Sequence, residues 1–158
     1  AKSLSIGWQA VGDAGAEALA QAKGLKSLRL EAAEVGVPGA VALIEQSGLE
    51  ALTLIGNPAG FTDLAAVSPS LQALILDDCG LETSSINALA KADAPALTSL
   101  SIERTKLSDE ALRAIMAASW FPRLDKLSLS AQRTSPDVRA ALIAAYRGEF
   151  LSIYRKDL

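Results

Sequence analysis

Histidine is absent from the 158 residues, and cysteine occurs once. No Ser-His-Asp or Cys-His nucleophilic pair, no His-ligated zinc and no disulfide within the chain can be assembled from such a set. Aromatics are scarce at 4%. No apolar run approaches the roughly 18 to 20 residues a membrane helix needs, and Ala1 is not followed by a basic-then-apolar signal pattern, so a soluble chain is expected. Charge of either sign is modest: 15 Lys and Arg against 18 Asp and Glu leave a net charge of −3. Such a balance gives nucleic acid or an anionic membrane no general attraction, and neither is expected as a partner. The lone thiol is compatible with a reducing cytoplasm, the expected compartment. What is present is 50% hydrophobic residues, enough for one domain with a continuous core.

Those apolar residues recur in one phrase, L-x-x-L-x-L. It stands at Leu25-Lys-Ser-Leu28-Arg-Leu30, Leu49-Glu-Ala-Leu52-Thr-Leu54, Leu71-Gln-Ala-Leu74-Ile-Leu76, Leu97-Thr-Ser-Leu100-Ser-Ile102 and Leu124-Asp-Lys-Leu127-Ser-Leu129. A truncated copy opens the chain (Leu4, Ile6) and a degenerate one closes it (Leu151, Ile153). With the middle leucine as a mark, positions 4, 28, 52, 74, 100, 127 and 151 are separated by 24, 24, 22, 26, 27 and 24 residues. The phase extends past the leucines. Five residues after the marks stand Gln9, Ala33, Asn57, Cys79, Thr105 and Gln132; seven after them stand Val11, Val35, Ala59, Leu81, Leu107 and Thr134.

This pattern resembles L-x-x-L-x-L-x-x-N/C-x-L of leucine-rich repeat proteins over nearly the whole chain. The stretch Val11-Gly-Asp-Ala-Gly-Ala-Glu-Ala-Leu-Ala20 followed by Leu25 is similar to ribonuclease-inhibitor-like repeats and to the bacterial GALA subclass. The resemblance implies an α/β fold: a right-handed solenoid of six to seven repeats, its concave side a parallel β-sheet and its helices on the convex side. Residues 1–158 are then a single domain, read as a C-terminal fragment of a longer chain, because Ala1 is not an initiator methionine and Leu4 and Ile6 lack a preceding turn.

Alternation within each phrase predicts strands whose leucines point inward. Between them, helices are expected at Ala14–Ala22 after Asp13, at Ser85–Ala92 after Ser84, at Asp109–Ala118 after Ser108, after Pro38, and after Ser135-Pro136. After Phe61 only one or two helical turns are expected, since that repeat is the shortest and Pro69 stops it. A single 24-residue turn cannot offset a backbone ordering cost of roughly 1–2 kcal/mol per residue, so turns must share one core.

The same alternation identifies the outward side chains. At the centre Ala51, Ile55, Ala73 and Ile75 form an apolar floor beside Thr53, flanked by Arg29 and Glu31 on one side and by Asp77, Asp78, Glu103 and Arg104 on the other. A contiguous apolar pair rimmed by charge has the anatomy of a protein contact, although Ile55 could instead fold into the loop. The stacked serines of this lane could simply bond one another or water. Asp77, Asp78 and Glu103 also admit a hard-cation site or a carboxylate pair, but the open surface disfavours both. Cys79 and Asn57 fall where the repeat places a side chain tucked under the loop. Trp8 is an exposed anchor or a cap on the first turn; Trp120 should pack beneath a strand.

The expected function is a non-enzymatic module that binds another protein through Trp8, Arg29, Glu31, Thr53, Ile55, Ile75, Asp77 and Glu103, with no catalytic, cofactor or metal residues. Alternatives are a scaffold region packing on a neighbouring domain, and the substrate-adaptor part of a bacterial effector secreted into a host cell. Residues 1–97 carry five basic and eleven acidic groups and 98–158 carry ten and seven, which also admits self-association through the open first turn.

Overall fold

An apolar side chain at alternate positions of a short phrase is hidden only if the phrase is extended and one face is covered. In a computed structural model that describes residues 2–154, the phrases are strands: β1 (Lys2–Gly7), β2 (Leu25–Glu31), β3 (Ala51–Ile55), β4 (Ala73–Asp77), β5 (Ser99–Ile102), β6 (Lys126–Ser130) and β7 (Phe150–Tyr154). They form one seven-stranded sheet in sequence order, with every neighbouring pair parallel. The register aligns the marks, running Leu4, Leu28, Leu52, Leu74, Leu100, Leu127 and Leu151 across the sheet. The ten leucines and isoleucines of the five complete phrases that were expected to point inward are all 1% exposed or less. This is a solenoid-like α/β arrangement in which strand and helix alternate along the chain.

The helices are α1 (Gly12–Ala20), α2 (Val37–Gln46), α3 (Thr83–Lys91), α4 (Asp109–Ala117) and α5 (Pro136–Ala145). Two begin as expected: the Ser108 hydroxyl accepts the Ala111 N–H, and that of Ser135 accepts the Val138 N–H. Two do not. Helix α1 starts at Gly12, which places Asp13 inside its first turn, where its Oδ1 accepts the N–H groups of Gly36 and Gly39 at the start of α2 (2.8 and 2.9 Å). Asp13 therefore caps the neighbouring helix rather than its own. Helix α3 starts two residues early, at Thr83, so Ser84 lies within it; Glu82 is the cap, exchanging hydrogen bonds with Ser85 in a capping box.

The short repeat holds no helix at all between β3 and β4, contrary to the expected one or two turns. A step of 22 residues that includes Pro58 and Pro69 leaves too little chain to add a helix to a strand and two turns. Buried Phe61 and Val67 fill the space, and the segment's backbone is held by neighbouring turns: Val67 N–H donates to Asp93 O, Ser68 N–H to Ile44 O, and Ala65 N–H to the Glu45 carboxylate. Helix packing follows, with α1 on α2 and, beyond the gap, α3 on α4 and α4 on α5. Trp120 is fully buried, and its indole N–H donates to Leu89 O of α3 at 3.1 Å.

One further regularity sets the loops. Four residues after the first five marks stand Trp8, Ala32, Gly56, Asp78 and Arg104, all left-handed, with φ of 60°, 47°, 65°, 53° and 52°. Each backbone N–H there donates into the next turn, to Glu31 O, Ile55 O, Asp77 O, Glu103 O and the Ser130 hydroxyl respectively. The chain thus leaves each strand with its last amide paired and then turns sharply away from the sheet. Among the described residues no helix is long and apolar enough to cross a membrane.

Candidate functional site

Because leucines occupy one face of every strand, the intervening residues line the other, and parallel register sorts them into rows. One row runs Ser5, Arg29, Thr53, Ile75, Ser101, Ser128 and Ser152; the next runs Gly7, Glu31, Ile55 and Asp77. Thr53 lies opposite Ile75, and Ile55 opposite Asp77. Ile55 and Ile75 are therefore diagonal neighbours, within mutual reach of long side chains. Both are only partly exposed, as are Ala51, Thr53 and Ala73, so the centre of this face is an apolar floor of small residues with two isoleucines. Ile55 stays in β3 and does not fold into the loop.

The rim is partly committed to itself. On one side Arg29 and Glu31 form an ion pair at 2.9 Å, their side chains 47% and 34% exposed. Exposed pairs of this kind contribute little to stability, about 0–1 kcal/mol, so their charge stays available to a partner. On the other side Asp77 Oδ1 accepts the Ser101 hydroxyl (2.9 Å) and the Glu103 N–H (2.8 Å). Glu103 lies just beyond the end of β5, and it is its amide that bonds Asp77. These bonds tie two turns together. Among the described residues no group of three or more His, Cys, Asp or Glu is placed to hold a metal ion.

Asn57 and Cys79 sit under the loops with equivalent roles. Asn57 is buried; its Oδ1 accepts the Ala33 and Val35 N–H groups, and its Nδ2 donates to Leu30 O and Ile55 O. Cys79 directs its thiol at Leu54 O (3.2 Å) and Asp77 O (3.3 Å), the matching carbonyls one repeat on. Burial is the main cause that pushes this thiol up to about 11, with the Asp77 and Asp78 charges adding to it against hydrogen bonds from the Asn57 and Gly56 backbone. A thiol that keeps its proton is a poor nucleophile.

Of the residues expected to meet a partner, Arg29, Glu31, Thr53, Ile55, Ile75 and Asp77 share one continuous sheet face, with Glu103 at its edge. Trp8 is 80% exposed at the end of β1, two strands from Ile55, so it belongs to the loop edge rather than to the floor. Ser101 was not singled out by sequence as a site residue; its link to Asp77 depends on register between strands 24 residues apart. Nor was an open groove of about 740 Å³ between two successive loops, whose lining includes Asp78, Glu82, Arg104 and Lys106. No protein-family model matches the chain, and no curated protein is similar to it.

Proposed function

We propose that this chain is a protein-interaction module of the leucine-rich repeat type, without catalytic activity, that takes a partner protein on the outward face of its sheet and on the loops leaving the strands. In this reading the sheet is the concave side of a right-handed coil. The observation that carries it is the pair Ile55 and Ile75, partly exposed on adjacent strands and rimmed by Arg29 and Glu31 on one side and Asp77 and Glu103 on the other. An apolar centre with a charged rim is the usual anatomy of a protein contact. Small neighbours at Ala51 and Ala73 leave the two isoleucines reachable, and seven paired strands hold the face rigid, which limits the ordering cost of association.

The test is proximity labelling in the source organism followed by binding measurements with the purified partner. Ile55→Asp and Ile75→Asp are expected to weaken binding at least tenfold with thermal melts close to those of the parent, while Glu17→Lys on the helix side leaves it unchanged. Unaltered binding by both sheet-face variants would overturn the assignment.

A further inference from the structure

Helix α2 has α1 packed on one flank, but the third turn has no helix, so its other flank meets the irregular chain between β3 and β4. Two hollows open beside that chain. One, of about 690 Å³, is lined by Val37, Val41 and Ala42 of α2 with Glu17 of α1 and Asp63. The other, of about 300 Å³, lies between Asp63 and Leu64 and the α3 residues Ala88 and Lys91. Helix α2 departs from the repeat here. Nine residues after the mark the other helices carry Asp13, Thr83, Asp109 and Pro136, and thirteen after it Glu17, Asn87, Arg113 and Ala140; α2 carries Val37 and Val41. Val37 is 40% exposed, and Val41 and Leu64 are partly exposed. Four residues apart, the two valines form one ridge along the helix, the kind of ridge on which another helix packs.

Charge and backbone chemistry define what fits this gap. Helices α1 and α2 and residues 56–72 carry four acidic side chains, Asp13, Glu17, Glu45 and Asp63, and no Lys or Arg. Asp13 is committed to the start of α2, and Glu45 to the Ala65 N–H. Glu17 and Asp63 are exposed, form no ion pair among the described residues and both line the larger hollow. Cations over α2 would therefore meet two uncommitted carboxylates, while Lys91 stands on the far side of the smaller hollow. An extended segment laid here finds no strand edge, because β3 and β4 are paired on both sides; its N–H and C=O groups would be covered without partners. A helix bonds its own.

We infer that the place of the missing third helix takes a basic amphipathic helix of a partner protein. Its apolar stripe lies on Val37, Val41 and Leu64, and its basic flank lies over Glu17 and Asp63. This is recognition of a helix in a groove, with aliphatic anchors at helical spacing and charge setting the orientation. The inference is independent of the sheet-face reading, since it uses the helix side and leaves that face open.

Fluorescence anisotropy with labelled synthetic helices tests it. The probe is a stapled peptide of about 15 residues, short enough to need the staple to stay helical in water. It carries Leu at every third or fourth position, Lys along one flank of that stripe and Gln along the other; the control peptide has Glu in place of Lys. The probe should bind at least tenfold tighter than the control, and more weakly as salt is added, because the carboxylates it meets are exposed to screening. Val41→Asp should weaken probe binding at least tenfold. Glu17→Lys with Asp63→Lys, both at exposed positions, should reverse the order of probe and control with thermal melts close to those of the parent. The same change of charge away from the gap, Asp125→Lys with Glu149→Lys, should leave that order unchanged, and Ile55→Asp on the sheet face should leave probe binding unchanged. No binding of the probe, equal binding of the two peptides, reversal by the distant pair of substitutions, or loss of binding on Ile55→Asp would each overturn the inference.

Discussion

Asp109 Oδ1 accepts the backbone N–H of Ser135 at 2.7 Å, the same relationship that joins Asp13 to Gly36 at the other end of the sheet. Both aspartates stand nine residues after a mark, and both amides stand eight residues after the next one. In each case the first turn of one helix ties down the start of its neighbour, which is the turn-to-turn coupling a stacked fold depends on. The Ser135 amide is the main cause that holds the Asp109 carboxyl below the usual carboxylate range, with a hydrogen bond from the Ser135 side chain and the Arg113 and Arg139 charges assisting against a smaller desolvation effect. A depressed folded value means the contribution is complete above the ordinary carboxylate pKa of about 4 and disappears as pH falls through the lower folded value. Asp109→Asn should therefore melt at lower temperature than the parent at pH 7, with the difference shrinking in acid. Thermal melts from neutral pH downward check this; a constant difference at all pH values would refute it.

Ala32 offers a second test. It occupies the left-handed position that ends β2 (φ 47°), where an L residue with a Cβ is strained by roughly 1–2 kcal/mol. Glycine already stands at the equivalent point of the next turn, Gly56 with φ 65°. Ala32→Gly should relieve that strain, although glycine also gains freedom in the unfolded chain, so a net stabilisation of up to about 1 kcal/mol is expected. The same substitution at Ala40, buried within α2, should destabilise by at least about 1 kcal/mol. Chemical denaturation of the two variants compares them directly.

The contrast between these two positions explains what could be read from the sequence. The strands, their order along the chain and their buried leucines follow from alternation and a near-constant period, which are properties of residue type. The left-handed position does not, because Trp8, Ala32, Gly56, Asp78 and Arg104 share no side-chain chemistry; parallel stacking imposes the conformation on whatever residue falls there. Asp13 misleads for a related reason. A local capping rule looks for a partner in the same helix, and its partners at Gly36 and Gly39 belong to the next one. On the sheet face, Ile55 and Ile75 were legible from alternation alone, while the bond between Ser101 and Asp77 needed the register.

Cys79 should be almost inert in the folded state. Burial favours its protonated form, so the associated stability is intact below its ordinary value of 9.0 and is lost as pH climbs through about 11. Iodoacetamide at pH 8 is expected to label the native chain slowly, at a rate that follows the fraction unfolded when denaturant is added. Cys79→Ala should cost about 1–3 kcal/mol, because it removes packed volume and leaves Leu54 O without its thiol donor. Rapid labelling of the native protein would show the thiol to be accessible and refute the burial argument.

Gly60 tests the closest approach of two loops. A Cβ there would lie 2.5 Å from the carbonyl oxygen of Gly80, a backbone atom that cannot rotate away. The same approach contains the hydrogen bond from the Ala59 N–H to Cys79 O, at 3.1 Å, so making room for a methyl group stretches a bond that joins the third and fourth turns. Overpacking of this kind costs about 1–3 kcal/mol, and Gly60→Ala should lose that much in chemical denaturation. It should also speed alkylation of Cys79, since separating the loops uncovers the thiol. Gly48→Ala is the control: its Cβ meets nothing within 4 Å, and the reduced freedom of the unfolded chain should leave that variant as stable as the parent or up to about 1 kcal/mol more so. Equal effects at the two glycines would mean that the loops are not in contact at Gly60.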